Sequence, residues 1–104
     1  MRRPPAIIVL LAASFAWPPN VQGARRFLEE GWPRVKGRVP DARLRLVGKN
    51  LPDALRETAR RAGVAAVGHV ESMEEEFARA TVLVVPLWVG VTTSAASGTT
   101  FWRY

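Results

Sequence analysis

Four short apolar runs, each separated from the next by a stretch with helical periodicity, constrain this chain more than any other feature. They are IIVLL at 7–11, RLRLV at 43–47, VAAV at 64–67 and VLVV at 82–85. The first, rich in β-branched residues, reads as a buried parallel strand and the last, apolar throughout, as a strand covered on both faces; Leu44, Leu46 and Val47 mark a second strand and 64–67 a third. The first intervening segment opens with Pro18, Pro19 and Asn20, a turn in which Asn20 can cap the free N–H groups of the first helical turn. Val21, Ala24, Leu28, Trp32 and Val35 then recur at helical spacing and leave Arg25, Arg26, Glu29 and Glu30 on the wet side. Pro33 is expected to bend or briefly break this helix. After Pro52, the positions Leu51, Leu55, Ala59 and Ala62 make a second amphipathic helix, with Gly63 placed to stop it. Ser72 and Glu75 form a capping box, so residues 73–79 read as a third helix with Met73 and Phe77 inward and Glu74, Glu75 and Glu76 solvated. Strands alternating with helices imply a parallel sheet with right-handed crossovers. Its strands are expected at 7–12, 43–47, 65–67 and 82–85, with Leu10, Leu46, Val67 and Val84 among the most buried residues.

At 104 residues the chain is one domain at most. A hydrophobic content of 48% with 23% charged residues is that of a globular protein rather than a disordered one. The net charge of +6 suits anionic ligands. Its arginines are scattered, without aromatic interleaving or a recognition motif, so no nucleic-acid partner is expected. Cysteine is absent, which excludes disulfides and thiolate metal sites, and the lone His69 would need carboxylates for every other zinc ligand. The opening MRRPPAIIVLLAASFA also has the layout of a secretory signal peptide. The strand reading is preferred because the next segment supplies the helix of a strand-turn-helix unit. The location expected on that reading is cytoplasmic, with export after a signal peptide as the alternative.

Gly48 and Gly68 each close an apolar run. If both strands belong to one parallel sheet, their carboxyl ends open on the same edge, where open α/β sheets bind ligands.

The stretches PPNVQGARRFLEEGWPRV, PDARLRLVGKN and GVAAVGHVESMEEEFARATVLVVPL, in that order, resemble the carboxyl-terminal, donor-nucleotide-binding domain of GT-B glycosyltransferases, in particular the group 1 class, glycosyltransferase family 4. The likeness covers residues 7–90 and leaves 91–104 as a divergent tail that resembles no core element. It implies an α/β fold with a Rossmann-like parallel sheet of about four strands and three helices, half of a GT-B donor domain. The implied activity is transfer of a glycosyl group from a nucleotide sugar to an acceptor hydroxyl, with no metal, no cofactor and no catalytic residue assigned within the chain. The partners implied are the nucleotide sugar itself, a missing amino-terminal acceptor domain and, in the full-length family, an acceptor at a membrane surface.

On this resemblance the donor would lie across the strand ends. The turn after the first strand, including Ser14 and Asn20, would turn backbone N–H groups and a helix start toward a diphosphate. Gly48 would let backbone approach closely, with Lys49 beside it as a point charge. Gly68, His69 and Val70 would face the base, and Gly90, Thr92 and Thr93 would supply the last turn. Each also has a plainer reading, the glycines as turn residues, Lys49 as a solvated charge and His69 as an exposed loop residue, while Trp17 and Trp32 read as packing. Ala13-Ser14 stands where the family has glycine-serine, and after Pro86-Leu87 neither the family's lysine nor its glutamate follows. The expectation is a truncated donor domain with weak nucleotide binding and no turnover; the alternative is a small non-enzymatic α/β binding or interaction module.

Overall fold

The computed structural model describes residues 7–85 and the backbone of residues 100–103. Strands β1 (Ile8–Ala12), β2 (Arg43–Val47), β3 (Ala65–Gly68), β4 (Val82–Val85) and β5 (Thr100–Arg103) form one sheet in the order β3-β2-β1-β4-β5. Every neighbouring pair is parallel. The first strand in the chain is therefore the middle strand of the sheet, which is why its residues are apolar on both faces: Leu10 and Leu11 are fully buried. The four strands expected from the apolar runs are present, with ends within one residue. The fifth lies in the segment read as containing no core element, with Phe101 in register with Leu83. Thr100, Phe101 and Trp102 are residues that suit a pleated surface.

The first crossover is a single continuous helix in three parts: α1 (Pro18–Arg26), a π-helical turn over Phe27–Gly31, and α2 (Trp32–Arg38). The helix is not broken at Pro33. Instead the Trp32 amide donates to the Phe27 carbonyl across the widened turn just before the proline. A proline lacks the N–H for the next bond and crowds the carbonyl one turn back, and a π turn accommodates both. The widened turn keeps Phe27, Leu28 and Trp32 buried together, at 1%, 2% and 4% exposure. Helix α3 (Asp53–Arg61) returns toward β3, and α4 (Met73–Arg79) covers the opposite face of the sheet.

Alternate strand residues feed two apolar layers of unequal size. Val9, Leu11, Leu44, Leu46 and Val84 pack under the long helix and α3, whereas Leu10, Val47 and Leu83 form a much smaller cluster under α4. Leu10, Leu46 and Val84 are buried as expected, but Val67 is only half-buried. It belongs to the edge strand, at an irregularity where Leu46 pairs with Ala66 and Val47 with Gly68, leaving Val67 unmatched between them.

The inward face of α4 also differs from the expected one. Ser72 accepts from the Glu75 amide as a cap should, yet Phe77 is 43% exposed and Glu76 is buried. Glu76 is therefore no part of a solvated acidic face. It reaches Arg45 on β2, which lies beside Leu10 on the α4 side of the sheet.

Candidate functional site

The carboxyl ends of β1, β2 and β3 open together, as a parallel sheet requires, onto an open pocket of about 370 Å³. Ala12, Ala13 and Ser14 line it from the end of β1, Val47, Gly48 and Lys49 from β2, and His69 and Val70 from just beyond β3. Met73 and Phe77 of α4 close its remaining side. Five of the residues expected at a donor site, Ser14, Gly48, Lys49, His69 and Val70, thus meet in one pocket.

Gly48 is what allows the three strand ends to approach. Its φ is +151°, its amide donates to the Gly68 carbonyl at 2.7 Å, and a β-carbon there would run into the Ala13 carbonyl oxygen. Gly68 has φ +79° and contributes its carbonyl to this tie; it does not line the pocket. The Ala13 amide donates to Val47 O at 3.1 Å and the Phe15 amide to Lys49 O at 3.0 Å. These bonds extend the β1–β2 ladder past the strands and hold the first loop rigidly over the second.

They also consume amides that were expected to meet a phosphate. The start of α1 offers less than anticipated for the same purpose, because Pro18 and Pro19 carry no N–H and the Asn20 amide donates to Trp17 O. Asn20 is not the cap. The residue at that position is Trp17, which makes no side-chain capping bond, and the Asn20 side-chain amide donates to the Ser14 carbonyl at 2.8 Å. Asn20 therefore shapes the loop that carries Ser14 from behind, rather than facing the pocket.

Lys49 and His69, both exposed, are the titratable side chains on the lining. The rest of the wall is backbone and apolar surface from Val47, Val70, Met73 and Phe77. Such a surface suits a flat, partly apolar group with an anionic end: the apolar wall takes the ring and Lys49 the charge. Met73 and Phe77 were missed as lining residues because both were read as facing the core; the exposure of Phe77 follows from the inward turn of Glu76. Trp32 is core, and Trp17 at 55% exposure is not. Gly90, Thr92 and Thr93 lie outside the described residues.

A second depression, of about 380 Å³, lies between the start of α3 and β3. Within it Glu57 pairs with Arg60 at 2.7 Å, and Arg56 donates to the Ala66 carbonyl at 2.8 Å. Among the described residues no three histidine or carboxylate side chains come together as a metal site, and no helix is long and apolar enough to cross a membrane.

Residues 6–99 match the sequence profile of a family described as "Glycosyl transferases group 1". A search of curated proteins finds no match.

Proposed function

The chain belongs to the group 1 glycosyl transferases, and from that premise we propose that its strand-end pocket binds the nucleotide part of a nucleotide-sugar donor. The observation that carries this reading is the convergence of Ser14, Gly48, Lys49, His69 and Val70 on one pocket at the carboxyl edge of the sheet. Val70, Met73 and Phe77 supply an apolar wall for the base, and Lys49 supplies a cation for a phosphate oxygen. The reaction served is transfer of the glycosyl group to an acceptor hydroxyl, with the acceptor and its general base contributed by surfaces other than this pocket.

Binding through the described residues is weak on this reading, in the millimolar range, because the Ala13, Phe15 and Gly48 amides are already bonded and one lysine faces the ligand. The same engaged amides favour a second reading, a binding module of the same fold that holds an anionic ligand and performs no transfer. Titrating uridine 5′-diphosphate into isotopically labelled full chain tests the first. Shifts centred on Ser14, Gly48, Lys49, His69 and Val70 are expected. Shifts scattered over the arginine-bearing faces of α1 and α2 would instead show general anion attraction and end the donor-site reading. Hydrolysis or transfer from a nucleotide sugar by the chain alone would overturn the binding-module reading.

A further inference from the structure

We propose that the Arg45–Glu76 ion pair is the positioning element of the strand-end pocket, an inference that rests on the donor-site reading and names the residues that set its shape. Arg45 Nε donates to Glu76 Oε1 at 2.9 Å and Nη2 to Oε2 at 3.0 Å, a parallel two-bond arrangement. Glu76's side chain is 7% exposed and Arg45's 30%. Taking two charges this far out of water gains little stability over an apolar contact of the same size. What it does supply is direction, since a planar guanidinium facing a planar carboxylate fixes both rotation and advance along the helix axis.

Helix α4 needs such a constraint. It has seven residues, too few to be stable alone, and the buried core beneath it is small, made among the described residues by Leu10, Val47 and Leu83. Its apolar residues by themselves favour another setting, with Met73 and Phe77 both inward and Glu76 in water. The pair overrides that choice. With Glu76 turned to the sheet, Phe77 is rotated out to the pocket edge at 43% exposure. The two partners also stand immediately behind the lining. Val47 follows Arg45 by two residues on the same strand face, and Met73 and Phe77 lie on either side of Glu76 in the helix; all three line the pocket. Neither Arg45 nor Glu76 lines it. Their role is to set where the apolar wall stands relative to Lys49 and His69.

The test uses the full chain carrying Glu76→Gln, Arg45→Lys, or the double reversal Arg45→Glu with Glu76→Arg. Two measurements are made: the resonances of His69, Val70, Met73 and Phe77 without ligand, and affinity for uridine 5′-diphosphate by titration. Arg45→Lys keeps the charge and loses the two-bond fork, so it moves the pocket with the least loss of stability and remains informative if Glu76→Gln does not fold. Each single substitution is expected to shift the four pocket residues, lower the solvent exposure of Phe77 and weaken the diphosphate several-fold, while resonances of α1 stay put. The double reversal is expected to restore both readouts toward the parent. A lowered melting temperature with unchanged pocket resonances and unchanged affinity would reduce the pair to a structural tie and overturn the proposal, as would failure of the double reversal to recover the pocket shifts. Should the parent chain bind no diphosphate, the donor-site reading fails by itself. The ligand-free resonances then still decide whether the pair positions α4.

Discussion

The carbonyl oxygen of Ala13 stands where a β-carbon on Gly48 would have to go. Main chain from the ends of two neighbouring strands is thus in direct contact, and it is locked there by bonds on both sides, Ala13 N to Val47 O and Gly48 N to Gly68 O. Since backbone, unlike a flexible side-chain tip, cannot give way locally, Gly48→Ala is expected to cost more than about 3 kcal/mol. Chemical denaturation would measure it. Wild-type-like stability of Gly48→Ala would show that the strand ends separate without penalty, and the pocket described above would lose its floor.

Burial differs sharply between the centre and the edge of the sheet. Leu46 is fully buried on β2, whereas Val67 is half-buried at the irregularity of the edge strand β3. Truncating a buried leucine costs about 2–5 kcal/mol through lost transfer energy and the cavity left behind. Leu46→Ala therefore leaves a chain of this size largely unfolded, while Val67→Ala costs about 1 kcal/mol or less. Equal effects of the two substitutions in urea titrations would contradict the placement of β3 at the edge.

Those two residues also mark what the amino-acid sequence could and could not convey. Leu46 and Val67 each sit in a short segment that reads as a strand, and such a segment says only that a strand is present. Which strand lies at the edge depends on the order β3-β2-β1-β4-β5, a property of the crossovers as a set. The strand-end glycines were legible because a backbone that must turn sharply at close quarters selects glycine. The inward turn of Glu76 was not, since its cause is Arg45, thirty-one residues away on another element. Helical periodicity ranks side chains by polarity and so places a glutamate outside. Asn20 looked like a cap for the same local reason, whereas its bond goes back to Ser14, and the two prolines ahead of it start the helix without a side-chain cap.

Acid should weaken α3 in a specific range. Hydrogen bonding from Arg60, with its charge and a further bond from Arg61, lowers the Glu57 carboxyl from 4.5 to about 2. A carboxyl more acidic in the folded chain than in the unfolded one stabilises the fold fully above pH 4.5, and that contribution disappears as the pH falls from 4.5 through 2. The group is well exposed, at 45% for Glu57 and 72% for Arg60, so solvent screening keeps the effect small and added salt reduces it further. Glu57→Gln should accordingly melt below the parent at pH 7 and low salt, with the two melting curves merging near pH 2. A gap that stays constant across this range would show that Glu57 matters for packing or helix propensity rather than for its charge.

Lys49 and Asn20 should affect ligand binding in different ways. Lys49 lines the pocket with an exposed ammonium, so Lys49→Ala removes one charge-assisted contact and should weaken a nucleoside diphosphate by about 1 kcal/mol. The loss should shrink as salt is raised, because an exposed charge is screened. Asn20 touches the pocket only through its 2.8 Å bond to the Ser14 carbonyl. Asn20→Ala therefore frees the loop between β1 and α1, and its effect on affinity, also about 1 kcal/mol, should be insensitive to salt. Titrations at two ionic strengths separate the cases: parallel salt dependence for both variants would place Asn20 among the ligand contacts, and no effect from Lys49→Ala would remove the only cation assigned to the diphosphate.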